Sequence, residues 1–328
     1  MKLSVDEARR LCMEILKGLG LDEHDSEVIT DHLVDGSLRG VAMGGLPRLL
    51  MIAAHLEKSG KNCRPVKVIH ETPISASIDG GNNIGFIVGH RAARLAIDKA
   101  KHQGVGIVGA NNTFVTGNFS YYMEMATRED LVVMAAGNSM ASVAPNGATE
   151  AILGTNPIAF GFPSTGDPVI WDIGTSSMTH GVMEMYKRLN KELPQGVAMD
   201  REGNPTRNPA EALQGAVHAW GGHKGSGLSI VVQLLGMLCD TAPVLKDLGG
   251  FGFFIIAMRP DLLMPAEVFK KRVAELSTEI RGARPEKTGL SARMPFERSA
   301  EERRRRLKEG IDLPDANYQA LVTLCERK

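Results

Sequence analysis

The chain is short of aromatic residues and cysteine, has no long apolar run and carries no surplus of either charge. Aromatics are 5% of its 328 residues, so a core of this size has to be built from aliphatics and from the 16 methionines. Lys plus Arg equals Asp plus Glu at 38 each, which removes the global field that draws a protein onto nucleic acid or an acidic membrane. No apolar stretch reaches membrane-spanning length, and the opening MKLSVDEARRLCMEIL has acidic residues where a secretory leader needs an unbroken apolar run. The four cysteines, Cys12, Cys63, Cys239 and Cys325, lack the paired spacing of a zinc site or redox motif. Three of them sit in apolar helix-like contexts, a pattern of reduced thiols that points to the cytoplasm. No HExxH, Cys/His cluster or paired acids suggests a metal.

What is present has the order of an α/β protein, and the length predicts roughly two domains. Ser4 and Glu7 form a capping-box signature ahead of Ala8, Leu11, Cys12, Ile15 and Leu16 at helical spacing, predicting a helix over about 5–18. A second helix is expected from about Asp25 to Leu38, and a third begins near Pro47. From Val66 the period switches to two, so VKVIHE and SASID read as strands. The helix IGFIVGHRAARLAIDKAKHQ, strand GVGIVGA, helix FSYYMEMATRED and strand LVVMAAGN then alternate. Residues 139–168 are rich in Gly, Pro, Asn and Ser and read as site-forming loops. A strand near 169, a helix from His180 to Leu189 and a strand FGFFIIAM follow. Three helical patterns near 265–281, 299–309 and 315–326 close the chain and are expected to pack back on the N-terminal helices. In isolation the run EERRRR, 301–306, reads as a solvated helix face.

Most of the chemistry gathers between Asp172 and Gly227. VIWDIGTSS is a strand ending in an acidic-Gly-Thr-Ser turn, and WGGHKGSGL is a Gly-rich loop feeding the helical pattern LSIVVQLLGML. Free N–H groups at such a helix start, beside Lys224, suit a phosphate, although a Gly-rich helix entrance is the plainer reading. Asp172 reads equally as a ligand contact, a helix N-cap or a buried structural acid. The literal GxGxxG at Gly104, Gly106 and Gly109 ends a helix and lies within a strand, the reverse of the dinucleotide fingerprint. GGHKGSG is not a P-loop, because Gly225 follows the lysine where Ser or Thr would hold magnesium.

In this order, DGGNNIGFIVGHRAARLAIDKAKHQGVGIVGANN, GNSMASVAPNGATEAILGTNPIAFGFP, WDIGTSSMTHG, GGHKGSGLSIVVQLL and RMPFERSAEERRRRLKEGIDLP resemble the type-2 malate/L-lactate dehydrogenase family. That family includes ureidoglycolate dehydrogenase, diketogulonate reductase, sulfolactate dehydrogenase and the piperideine/pyrroline-2-carboxylate reductases. The resemblance implies an α/β fold with a non-Rossmann NAD(P)-binding domain on a mixed or antiparallel sheet, expected at 66–264. A smaller helical domain would come from 1–65 and 265–328, usually in a homodimer. It implies hydride transfer between NAD or NADP and the alpha carbon of a small 2-oxo, 2-hydroxy or 2-imino acid. Cofactor contacts carried over are Thr155, Asn156 and Pro157, Asp172, Ile173, Gly174, Thr175 and Ser176, His223, Lys224 and Gly225, and Pro295, Glu297, Arg298 and Arg304. Arg48 is expected to hold the substrate carboxylate, with Thr155 and Gly181 beside it.

Two departures from the family pattern bear on the reaction. Met43, Gly44 and Gly45 stand where the family has Ser-His-Gly, and Asn112, Thr113, Phe114 and Val115 where it has Asn-His-Phe-Gly. Both proton-handling histidines are therefore expected to be missing. Hydride addition to a ketone builds an alkoxide, and removing its positioned acid costs about 10²–10⁴-fold. A protonated cyclic imine becomes a neutral amine with no such acid, so the expectation moves towards imines. His180 is the remaining candidate acid, and water in the space left by Gly44 is another. A catalytically impaired homologue that binds nicotinamide cofactor in a binding or regulatory role is the alternative.

Overall fold

The computed structural model describes residues 1–41, 43–59 and 63–326. It opens with a two-residue strand β1 (Lys2–Leu3) and helix α1 (Val5–Gly18), started by the expected box: Ser4 Oγ accepts from Glu7 N, and the Glu7 carboxylate accepts from Ser4 N at 2.8 Å. Helix α2 (Glu23–Leu38) begins two residues before Asp25 because Asp22 caps it, accepting from Asp25 N. Its second half is buried on every side, and with α1 and α3 (Arg48–Ser59) it builds a helical core.

A seven-stranded sheet carries the rest. Strands β2 (Lys67–Glu71) and β3 (Ser75–Asn83) lead to α4 (Gly85–Gln103), β4 (Val105–Thr113), α5 (Phe119–Thr127) and β5 (Val132–Ala136). The loop-like stretch 139–168 holds a short β6 (Val143–Ala144) and a full strand, β7 (Ile158–Phe162), hidden in the sequence by its Gly/Pro surroundings. After β8 (Val169–Ile173) come α6 (His180–Arg188), β9 (Ala198–Met199), β10 (Pro205–Thr206), α7 (Pro209–Ala212), β11 (Ala216–His218), α8 (His223–Leu238) and β12 (Phe251–Met258).

The large sheet runs β2-β3-β4-β12-β5-β7-β8, and only its β3–β4 pair is parallel. This is a mixed, mainly antiparallel sheet and not the parallel dinucleotide fold. A second sheet, β10-β9-β11-β6, packs with α6 and α7 around its own small core. The GxGxxG spacing belongs to helix–strand packing. Gly104 ends α4 at φ 88°, and a Cβ on Gly106 would meet the backbone of Ala96 and Ala100 in α4.

Helices α9 (Ala266–Gly282), α10 (Glu297–Glu309) and α11 (Asp315–Glu326) follow. The chain ends meet: β1 pairs with β13 (Ile311–Asp312), and Leu321 and Leu324 of α11 join the N-terminal helical core. The arginine run is more than a solvated face. Arg303 meets Glu124 of α5 at 2.9 Å and Asp35 of α2 at 3.3 Å, and Arg306 donates to Ser37 O, so α10 is pinned to α2 and α5. Helix α9 lies elsewhere, beside the turn between β7 and β8, where Thr165 N donates to Lys270 O and Lys270 pairs with Asp130. No helix among the described residues is long and apolar enough to cross a membrane.

Candidate functional site

Three loops meet at the end of β8. Thr175 N and Oγ1 both donate to Thr155 O, at 2.9 and 3.2 Å, and Trp220 N donates to Thr175 O at 2.8 Å. Ser177 N reaches His218 O, and Ser176 bridges to Ala219. The expected segments 155–157, 172–176 and 223–225 are thus neighbours. Gly221 and Gly222 sit at φ 64° and 63°, and Gly222 starts α8 without a side-chain cap. The first N–H groups of α8 have no intrahelical acceptor, while Gly221, Gly222, His223 and Lys224 are exposed. Gly225 is obligatory, since any Cβ there would overlap the Trp220 carbonyl. Beside this turn Ser176 Oγ is buried with no hydrogen-bond partner. Donor N–H groups, a lysine and an orphaned hydroxyl are the chemistry that suits an anionic group.

Not every residue of these segments faces outward. Asn156 is fully buried, and its Nδ2 donates to Ser229 O, Ser229 Oγ and Gln233 Oε1 at 2.9–3.2 Å. Its side chain anchors the loop to α8. Asp172 Oδ2 accepts from Ser120 N at 2.7 Å, so its carboxylate caps α5. Burial raises its pKa, against the lowering effect of those α5 hydrogen bonds. The structural-acid reading of Asp172 therefore has a named partner in α5, and the residue is half-buried.

On the helical side, Arg48 opens α3, and a Cβ on Gly181 at the start of α6 would lie 3.7 Å from Arg48 Nη2 and 3.4 Å from the Met43 methyl. Arg48, Met43, His180 and Gly181 therefore converge. Arg48 is partly buried, burial lowers its pKa, and its Nη1 contacts Met51 Sδ at 3.0 Å. Among the described residues no carboxylate pairs with it. His180 is held below the ordinary imidazole range, first by burial and then by Arg48, with Glu184 acting the other way. It is an acceptor at neutral pH, a poor acid. Thr113 is not in this group: it is fully buried at the end of β4, its Cγ2 against Gly80.

The space beside Gly44 is also filled. A Cβ on Gly44 would meet Asn118 Oδ1 first, then Nδ2 at 2.6 Å and Cγ at 2.8 Å. The expected water pocket is occupied by a carboxamide that sequence reading missed, because Asn before a helix passes for a cap.

The C-terminal residues gather at the other end of β8. A cavity of about 230 Å³ is lined by Val169, Arg39, Pro295, Phe296, Glu297 and Arg304. The Arg39 guanidinium lies 4.3 Å over the Phe296 ring. Glu297 is engaged, accepting from Arg281 Nε at 2.7 Å and Met294 N at 3.0 Å. Arg304 pairs with Asp167 at 3.1 Å, and Arg298 is exposed. Among the described residues no group of three His, Cys, Asp or Glu could hold a metal ion.

Comparison with known proteins bears on what this geometry serves. The family model described as malate/L-lactate dehydrogenase matches residues 3–322. The chain belongs to this family. It is 33% identical to L-sulfolactate dehydrogenase of Methanocaldococcus jannaschii, covering 99% of this chain and 96% of that protein. It is 30% identical to the Delta(1)-pyrroline-2-carboxylate/Delta(1)-piperideine-2-carboxylate reductase of Pseudomonas aeruginosa, covering 99% and 100%. The solved sulfolactate dehydrogenase from M. jannaschii has the same fold, with a TM-score of 0.89 at 31% identity over 100% of this chain and 97% of that one. As a family member the protein is an oxidoreductase of the dehydrogenase/reductase type, a class that works with nicotinamide cofactors.

Proposed function

We propose that the protein reduces a small carboxylate bearing C=N or C=O at its alpha carbon, with cyclic 2-imino acids preferred, at the expense of NADH or NADPH. The observation that carries this is Arg48, a partly buried guanidinium with no counter-charge among the described residues, beside the start of α6. A substrate carboxylate supplies that charge in the bidentate form guanidinium favours. Reduced nicotinamide supplies a hydride. The chain's own residues orient the substrate through Arg48, Thr155 and Gly181, while the loops at 155–157, 172–176 and 223–225 hold the cofactor, with Pro295, Glu297, Arg298 and Arg304 towards its far end. His180 is neutral at neutral pH, so an iminium that arrives with its own proton suits the site better than a ketone does.

The helical unit from the chain ends carries Arg48 and the sheet unit carries the cofactor loops, so the cleft lies between the two proposed domains. NAD and NADP differ by a 2′-phosphate, for which Arg298 and Arg304 are the cations of the C-terminal segment. Ile230, Leu234 and Leu238 form an exposed stripe at i, i+4 and i+8 on α8, which supports a homodimer. Cys12 and Cys239 are buried and form no disulfide, which supports a cytoplasmic setting.

The test is binding of NADH and NADPH by fluorescence and their oxidation with a panel of cyclic imino acids and 2-oxo acids. Faster turnover of the imino acids is expected, and Arg48→Met should lower kcat/KM about 10²-fold, mostly through KM. Absence of both binding and oxidation overturns the proposal. Binding without turnover on any of these acids favours the impaired-homologue reading.

A further inference from the structure

Asn118 occupies the N-cap position of α5, yet its side chain makes no cap hydrogen bond. The nearby Asp172 bonds Ser120 N instead, which releases the carboxamide for another partner. That partner is Gly44, whose carbonyl accepts from Asn118 Nδ2 at 3.1 Å. Gly36 makes room on the other side, since a Cβ there would lie 2.8 Å from the same Nδ2. The backbone is fixed as well: Asn118 N donates to Nε2 of the buried His32 at 2.9 Å. A backbone carbonyl can only accept, so Nδ2 must face the Gly44 carbonyl, while Oδ1 lies nearest the place a Gly44 Cβ would take. Oδ1 is left as an acceptor with no donor among the described residues, and Asn118 is only half-buried. Gly44 adjoins Met43, which lies with Arg48 Nη2 against Gly181, and Gly45 O accepts from Arg48 N at 2.9 Å.

We infer that Asn118 Oδ1 receives the substrate's N–H, making Asn118 the residue that selects imino over oxo acids at the Arg48 site. This rests on the proposed reading of Arg48 as the carboxylate clamp. In the reaction the iminium N–H donates to Oδ1 while a C–H bond forms at the alpha carbon with the hydride's electron pair. The C=N π bond breaks and its pair moves to nitrogen. The substrate leaves as a neutral secondary amine, the nicotinamide is oxidised, and no proton leaves the protein. With a ketone the same Oδ1 would face a developing alkoxide, two acceptors with no hydrogen between them.

Pyrrole-2-carboxylate and furan-2-carboxylate separate the two roles without turnover. Both are flat rings bearing a carboxylate, but one presents N–H and the other a ring oxygen. Each is titrated by calorimetry into the full-length chain, alone and with reduced nicotinamide. The expected result is about tenfold tighter binding of the pyrrole, a ratio that falls to near one in Asn118→Ala while both ligands still bind. Arg48→Met should weaken both ligands alike. Equal binding of the two by the unaltered protein, or a preference that survives in Asn118→Ala, overturns the role of Asn118 and leaves the clamp standing. Failure of both to bind the unaltered protein overturns the clamp and with it this inference.

Discussion

Acidification should unload a specific part of this fold through His32. The ring is 1% exposed, sits among Phe86, Tyr121 and Tyr122 at centroid distances of 4.4–5.3 Å, and accepts the Asn118 N–H at Nε2. Nε2 therefore carries no proton, and Nδ1 is buried without a partner. Burial, assisted by His90, pushes its pKa down to about 3. The unfolded chain takes up a proton near the ordinary value of about 6.5, while the native state refuses it. The native state binds fewer protons, so stability is full above pH 6.5 and falls below it, by up to about 1.4 kcal/mol per pH unit. Between pH 6.5 and 5 that integrates to about 1.6 kcal/mol. Urea unfolding of the unaltered chain and His32→Gln, at one protein concentration and at pH 8, 6.5 and 5, isolates the share of this ring. Gln can still accept from Asn118 but does not titrate. Asp25 and Asp172, whose pKa values burial raises, contribute with the opposite sign at lower pH and cancel in the difference. The stability gap between the two proteins should shrink by about 1.6 kcal/mol from pH 6.5 to 5 and by only about 0.4 kcal/mol from 8 to 6.5. A gap independent of pH refutes the assignment of a neutral, acceptor-only His32.

Two further outcomes follow from packing and charge. Gly44→Ala should cost about 1–3 kcal/mol through overlap with Asn118, and Asn118→Gly should recover most of it in the double variant; additive losses in thermal melts would place the Asn118 carboxamide elsewhere. Glu124→Gln should cost about 3–5 kcal/mol, because Arg39, with a side chain 2% exposed, and Arg303 both lean on that carboxylate; a loss under 1 kcal/mol by urea unfolding would mean that Asp35 alone balances them.

The parts of the fold that local chemistry determines were readable. The Ser4–Glu7 box, the switch of period at Val66 and the glycine after α4 each act within a few residues, and each marks its element in place. What stayed hidden depends on distant partners. β12 lies between β4 and β5, although more than a hundred residues separate it from either in sequence, and no local pattern states such a register. β7 has five residues inside a Gly/Pro-rich stretch and becomes a strand because β5 and β8 supply hydrogen bonds on both sides. The arginines of α10 looked solvated because their acids sit on α2 and α5.

The same distinction divides the site. The Gly-rich entrance to α8 at 221–225 could be read because positive φ and a bare helix start impose glycine wherever the chain runs. Asp172 and Asn118 could not be read, because each has the side chain to cap a helix and the sequence does not say which helix, or whether the cap is used. In the structure they exchange roles: the acid from β8 caps α5, and the residue at the cap position of α5 turns to Gly44. That exchange ties a half-buried carboxylate to α5 and sets a neutral carboxamide against Gly44. His180 stays beside Arg48 as a titrating group, held below the ordinary imidazole range by burial and by that guanidinium, so the proposed reduction favours a substrate that brings its own proton.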